Sequence, residues 1–163
     1  MAKRWINEPV LLDSLADNLL SAMSMFPKRL VRIDEIIREF QMPLSHIQIL
    51  SLVSHQALTI SQISARMGVA KPNVTPLVNK LDEMGFVSRI RSNDDRRIVQ
   101  VAISDAGNEC LSRIRGMIAE QIRNWPVDFS TGEVRHLNSS LGTLNRTMES
   151  MNEAVGMTKD KKR

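Results

Sequence analysis

The stretch that most constrains this chain is LTISQISARMGVAKPNVTPLVNKLDEMGF, Leu58 to Phe86. Thr59 and Gln62 have capping-box spacing, in which each side chain satisfies the other's backbone N–H, so a helix is predicted to begin at Ile60. Ile63 and Met67 form its inner side, and Gly68 stands where a left-handed C-terminal residue is wanted. Pro72 suits the first turn of a second helix, where a missing N–H leaves no bond unmade. Val74, Leu77, Val78 and Leu81 then form one apolar stripe, and Gly85 ends that helix. Two short helices joined by a tight glycine-containing turn make the helix-turn-helix pattern.

The next segment fits beside it. Phe86–Arg91 and Ile98–Ile103 read as two strands, with Val99, Val101 and Ile103 on alternate positions and SNDDRR as the tip between them. A hairpin directly after the second helix is a wing. Upstream, apolar residues from Leu12 to Phe40 follow helical spacings of three and four, and Pro27 is expected to kink or break that run. Pro43 precedes a short helix carrying Ile47, Leu50 and Val53. Downstream, Ser104 is a predicted N-cap for a helix with the stripe Leu111, Ile114, Ile118, Ile122 and Trp125, ended by Pro126. Ser130 and Glu133 repeat the capping-box spacing before a last helix. Its apolar seam is Val134, Leu137, Leu141, Leu144, Met148, Met151 and Val155. The terminal TKDKKR is expected to be a solvated, disordered tail. The fold class is therefore mainly α with a small β-hairpin wing: a winged helix-turn-helix core between N- and C-terminal helices.

If the stripe Val74, Leu77, Val78, Leu81 faces the core, then Lys71, Asn73, Pro76, Asn79 and Lys80 face solvent, with Thr75 at the margin. That face holds two positive charges, no negative ones, and two amides. Asparagine can read adenine with donor and acceptor together, and lysine can contact guanine or phosphate. The plain alternative is an ordinary solvated helix face. Pro76 falls about one turn into the helix, where it removes a backbone hydrogen bond. It either bends the helix start or offers a flat apolar contact to a thymine methyl. On the hairpin, Arg89, Arg91, Arg96 and Arg97 stand against Asp94 and Asp95, with Asn93 also at the tip. A ribbon beside a major-groove helix can reach the neighbouring minor groove, which attracts arginine. Arg97 is expected to insert there, with Asp95 orienting its guanidinium. The plain alternative is a polar tip kept soluble by charge.

Size and composition bound the rest. The 163 residues suit one domain, and 42% apolar content supports a real core. The formal net charge of +4 is only a mild bias toward polyanions. Cys110 is the one cysteine, so no disulfide can form within the chain and a reducing, cytoplasmic compartment is expected. Acids and Pro9 interrupt any signal-peptide core, and no apolar run approaches the ~18 residues of a membrane span. No Gly-rich phosphate loop, HExxH motif or nucleophile–base arrangement is found, so an enzyme is not expected. His46, His55 and His136 lack metal-ligand spacing, and neither metal nor cofactor is expected.

The quoted segments resemble the MarR family of winged-helix transcription regulators. DDRRIVQVAISDAG is similar to the family's Asp-x-Arg wing signature, matched by Asp95 and Arg97. ISQISARMGVAKPNVTPLVNKLDEMGFVSR is similar to its helix-turn-helix, including Leu81 and Gly85. The resemblance covers nearly the whole chain. It implies a homodimer on near-palindromic double-stranded operators, commonly as a repressor, controlled by a small-molecule effector or oxidant. It implies a DNA-binding lobe over 44–104, dimerisation helices over 8–40 and 105–155, and a basic tail over 156–163. The unpartnered seam supports a dimer independently. Leu12, Leu15, Leu19, Leu137, Leu141, Leu144, Met148 and Met151 are the expected dimer residues. Met23, Met42 and His46 are candidates for a ligand pocket, against a plain packing role for the methionines and a solvent or cap role for His46. Cys110 is expected to pack rather than sense oxidants, lacking a clear basic activator. The rival function is a winged-helix module that binds protein. It predicts a neutral or acidic recognition face and an uncharged wing.

Overall fold

The computed structural model describes residues 9–29, 31–91 and 97–160, with side chains over 10–22, 31–91 and 97–151. The elements run α1 (Pro9–Arg29), α2 (Ile33–Phe40), α3 (Leu44–Val53), α4 (Ile60–Met67), α5 (Lys71–Glu83), β1 (Val87–Arg91), β2 (Val99–Ile103), α6 (Asp105–Arg123) and α7 (Thr131–Asp160).

Local chemistry accounts for most boundaries. At α4, Gln62 N donates to Thr59 Oγ1 (3.2 Å) while Thr59 N donates to Gln62 Oε1 (2.8 Å), so the capping box forms in full. Gly68 ends α4 at φ 67°, and the Ser64 hydroxyl donates to Val69 O at 2.6 Å, holding the turn into α5. Gly85, at φ 73°, turns the chain from α5 into β1. The strands are antiparallel, with Val87 opposite Ile103 and Arg91 opposite Val99. Leu58 adds a third rung: Leu58 N donates to Val101 O (3.0 Å) and Val101 N to Leu58 O (2.7 Å). The wing is thus tied at its base to the residues that precede α4.

The core sits beneath the two helices of the motif. Ile36, Met42, Ile49, Leu50, Val53, Leu58, Ile63, Val74, Val78, Leu81, Val101 and Ile114 are at most 2% exposed. Each such side chain contributes about 1.5–3 kcal/mol of transfer free energy, and together they fix α5 against α3, α4 and the wing. The start of α6 is seated on the turn after α5. Ser104 Oγ accepts from Gly107 N (3.0 Å) and donates to Gly85 O (2.6 Å), while Ser104 N donates to Phe86 O (3.0 Å). Gly107 has no room for a side chain, since an added Cβ would run into Phe86 O and come within 2.8 Å of Ile103 Cγ1. Near its other end α6 buries Gln121, which accepts from Arg32 N (2.8 Å) and donates to Arg32 O (3.4 Å). That amide clips the junction between α1 and α2 to α6.

Three expectations need correcting. The break after the first helix comes between Arg29 and Ile33, not at Pro27, which lies within α1. The strands each start one residue later than expected, because Phe86 and Ile98 lie outside the paired register. The expected terminal tail is helical through Asp160, since α7 continues past its apolar seam; residues 161–163 lie outside the described ones. No helix among the described residues is long and apolar enough to cross a membrane. Within the chain α7 meets α4, yet Val134, Leu137, Leu141, Leu144, Met148 and Met151 stay exposed, as do Leu12, Leu15 and Leu19 of α1.

Candidate nucleic-acid interface

The outer face of α5 carries Lys71, Asn73, Thr75, Pro76, Asn79 and Lys80, all exposed, directly opposite the fully buried Val74, Val78 and Leu81. The helix continues through Pro76, although Pro76 has no N–H to offer the carbonyl four residues earlier. The Thr75 hydroxyl donates to Lys71 O at 3.2 Å just before that gap. The N-terminus of α5 has no side-chain cap and no acidic residue in its first turn. Pro72 has no N–H and Asn73 N donates to Ala70 O (2.9 Å), so it is the Lys71 charge, with the helix dipole, that favours an anion there. Toward the C-terminal end the charge is balanced within the helix: Lys80 Nζ lies 3.2 Å from Glu83 Oε2, both well exposed.

The wing presents its charges unevenly. Val87 and Val101 are buried on the face of the hairpin that looks toward the lobe. Alternation puts Arg89, the cross-strand neighbour of Val101, on that same face. Its guanidinium reaches back to α5, donating to Asn79 Oδ1, with Nε 3.5 Å from Asp82 Oδ2. Arg91 and Arg97 are exposed on either side of the tip. Asn93, Asp95 and Arg96 lie outside the described residues, so the expected pairing of Asp95 with Arg97 does as well. Sequence reasoning passed over Asp82. No periodicity marks it, and it joins the site only because β1 returns beside α5.

The candidate pocket residues separate. His46 is not a solvent or capping residue: it is buried beneath the motif at 7% exposure, and neither ring nitrogen has a hydrogen-bond partner. Burial, and then the positive charge of Lys80, lowers its pKa below the ordinary histidine value. Met42 is in the core and borders an open cleft of about 350 Å³, together with Phe40, Phe86, Glu109, Cys110 and Arg113. His46 is not among the residues lining it, and the Met23 side chain lies outside the described ones. Arg113 stacks over the Phe40 ring at 5.1 Å. Cys110 is buried, and burial pushes its thiol pKa up against the opposing pull of Arg113. Among the described residues no group of three or more His, Cys, Asp or Glu is placed to hold a metal ion.

The family model described as MarR family matches residues 44–99, from the start of α3 to the return strand of the wing. Over those residues the chain is similar to the MarR family. Its relatives include the HTH-type transcriptional regulator PecS of Dickeya dadantii, 24% identical over 153 residues that cover 90% of this chain and 91% of PecS. The transcriptional repressor MdtR of Bacillus subtilis is 22% identical over 147 residues, 87% of this chain and 94% of MdtR. A MarR family protein from Bacillus stearothermophilus shares the fold with TM-score 0.65, at 20% identity over 87% of this chain and 99% of that one. A mutant of MepR from Staphylococcus aureus, bound to an oligodeoxyribonucleotide, does so with TM-score 0.56, at 15% identity over 82% of this chain and 97% of that one.

Proposed function

We propose that this protein is a homodimeric, sequence-specific MarR-family regulator of transcription, acting in the cytoplasm as a repressor. In this reading α5 enters the major groove of a near-palindromic operator and the arginine-bearing wing reaches the adjacent minor groove. The observation that carries it is the outer face of α5. Lys71, Asn73, Thr75, Pro76, Asn79 and Lys80 stand exposed on a helix whose opposite side is locked into the core. A rival role in binding protein predicts a neutral or acidic face; here Lys71 stands at the N-terminal end that would meet base edges, while Lys80 is balanced by Glu83 toward the other end. The relatives named as transcription regulators and one named as a repressor support the same reading.

The dimer rests on α1 and α7, whose apolar residues stay exposed within the protomer. A second copy covers such seams most directly. For control, a small-molecule effector suits the chain better than an oxidant. Thiol oxidation needs an exposed cysteine with a lowered pKa, and Cys110 has neither property.

Footprinting across a salt series tests the reading. The expected result is protection of two half-sites about one helical turn apart, with affinity falling steeply as salt rises. Absence of any protected site, both on the DNA upstream of its own gene and on fragments selected from the genome, would overturn it.

A further inference from the structure

We propose that Arg89 is a positioning residue, which sets the wing against the recognition helix and orients the Asn79 amide, rather than a direct contact to DNA. The inference rests on the DNA-binding reading for its consequence, but the contact itself is internal to the lobe.

Three observations converge. First, the β register places Arg89 on the inner face of the hairpin with buried Val87 and Val101, so its side chain leaves the strand toward α5. Second, it meets two groups on that helix, one an acceptor and one an acid: Asn79 Oδ1, and Asp82 Oδ2 at 3.5 Å from Nε. Third, those two groups lie three positions apart, on one face of the C-terminal half of α5. The Arg89 and Asp82 side chains are 43% and 41% exposed, so the ion pair adds little to global stability. Its effect is geometric. Arg89 is the middle residue of a five-residue strand, and its contact with α5 is a second tie on the hairpin beside the Leu58–Val101 backbone bridge.

The contact also constrains what Asn79 can read. A guanidinium only donates, so the amide must turn its oxygen to Arg89 and its NH2 group outward. An outward NH2 donates to acceptors such as guanine O6 and N7 or a phosphate oxygen. Bidentate reading of adenine needs the oxygen as well. Arg89 thereby biases Asn79 toward acceptor edges.

The test uses the full-length protein and five forms: wild type, Arg89→Ala, Asp82→Asn, Asn79→Ala and the Arg89→Ala/Asn79→Ala double variant. Hydrogen exchange without DNA is the first arm. Both Arg89→Ala and Asp82→Asn should speed exchange in β1 and β2 while leaving α6 unchanged. Selection from a random duplex pool is the second arm, followed by salt titration on the selected duplex. Arg89→Ala should weaken binding about tenfold with an unchanged salt slope. It should lose the same base preference that Asn79→Ala loses, and the double variant should lose no more. Asp82→Asn should also weaken binding, although it makes the lobe more positive. A salt slope smaller by about one in Arg89→Ala, or tighter binding by Asp82→Asn, would mean that Arg89 touches phosphate and would overturn the proposal. If wild type selects no duplex, the DNA reading fails, and the exchange arm alone decides whether Arg89 holds the wing: unchanged exchange in both variants rejects it.

Discussion

His46 is a titratable group in a place built for an apolar one. Its pKa in the folded protein lies below the ordinary value, from burial first and Lys80 second. The sign follows directly. As pH falls below about 6.5 the unfolded chain takes up the proton before the folded one does, so stability drops from there down to the folded pKa. Above that window the group contributes no pH dependence. His46→Leu should therefore shrink the loss of stability between about pH 8 and about pH 5 in urea unfolding, and an unaltered pH profile would contradict the burial argument. Gly107 makes the opposite demand, for absence of volume. Gly107→Ala should lower stability by about 1–3 kcal/mol by overpacking against Phe86 O, read as a lower melting temperature. Arg97→Ala should weaken DNA binding with no change in melting temperature, because Arg97 is exposed at the wing; equal affinity would remove the wing from the interface. Arg97 and Gly107 lie in the wing segment that the sequence marks, and His46 stands in the sequence as a pocket candidate against a solvent or cap role. Burial of His46 depends on which helix packs over α3.

Helix α5 carries an internal proline at a position where the plain helix prefers an N–H donor. Pro76→Ala restores the bond to the carbonyl four residues earlier, so it should stabilise the fold by about 1–3 kcal/mol. If Pro76 meets the operator, the same change should also reduce affinity. A stability gain with unchanged affinity would assign Pro76 to bending alone. Most element boundaries are legible in the chain. Thr59 with Gln62, Gly68, Gly85, Ser104, and Ser130 with Glu133 are short-range devices, and the structure uses each one where the spacing places it. The two misplaced helix boundaries err in the same direction. Pro27 lies inside α1 and the tail extends α7, so in both places the chain stays helical beyond the expected stop.

At the level of the whole molecule, α1 and α7 leave apolar side chains exposed among the described residues. Deleting residues 134–163 should yield a monomeric or unstable protein, and an intact dimer in sedimentation would refute the assignment of that seam. What the chain determines by itself is what depends on neighbours a few residues apart: caps, turns, the 3.6 and 2.0 periodicities, and hence the winged helix-turn-helix and its exposed polar face. What only tertiary structure decides is which distant groups meet. Arg89 reads as one of four wing cations until the register turns it back to Asn79 and Asp82. Gln121 reads as a polar residue on a helix until it closes on Arg32, 89 positions away. Contacts of that range are set by packing of whole elements, and a buried core permits one arrangement of them where the local pattern of each element permits many.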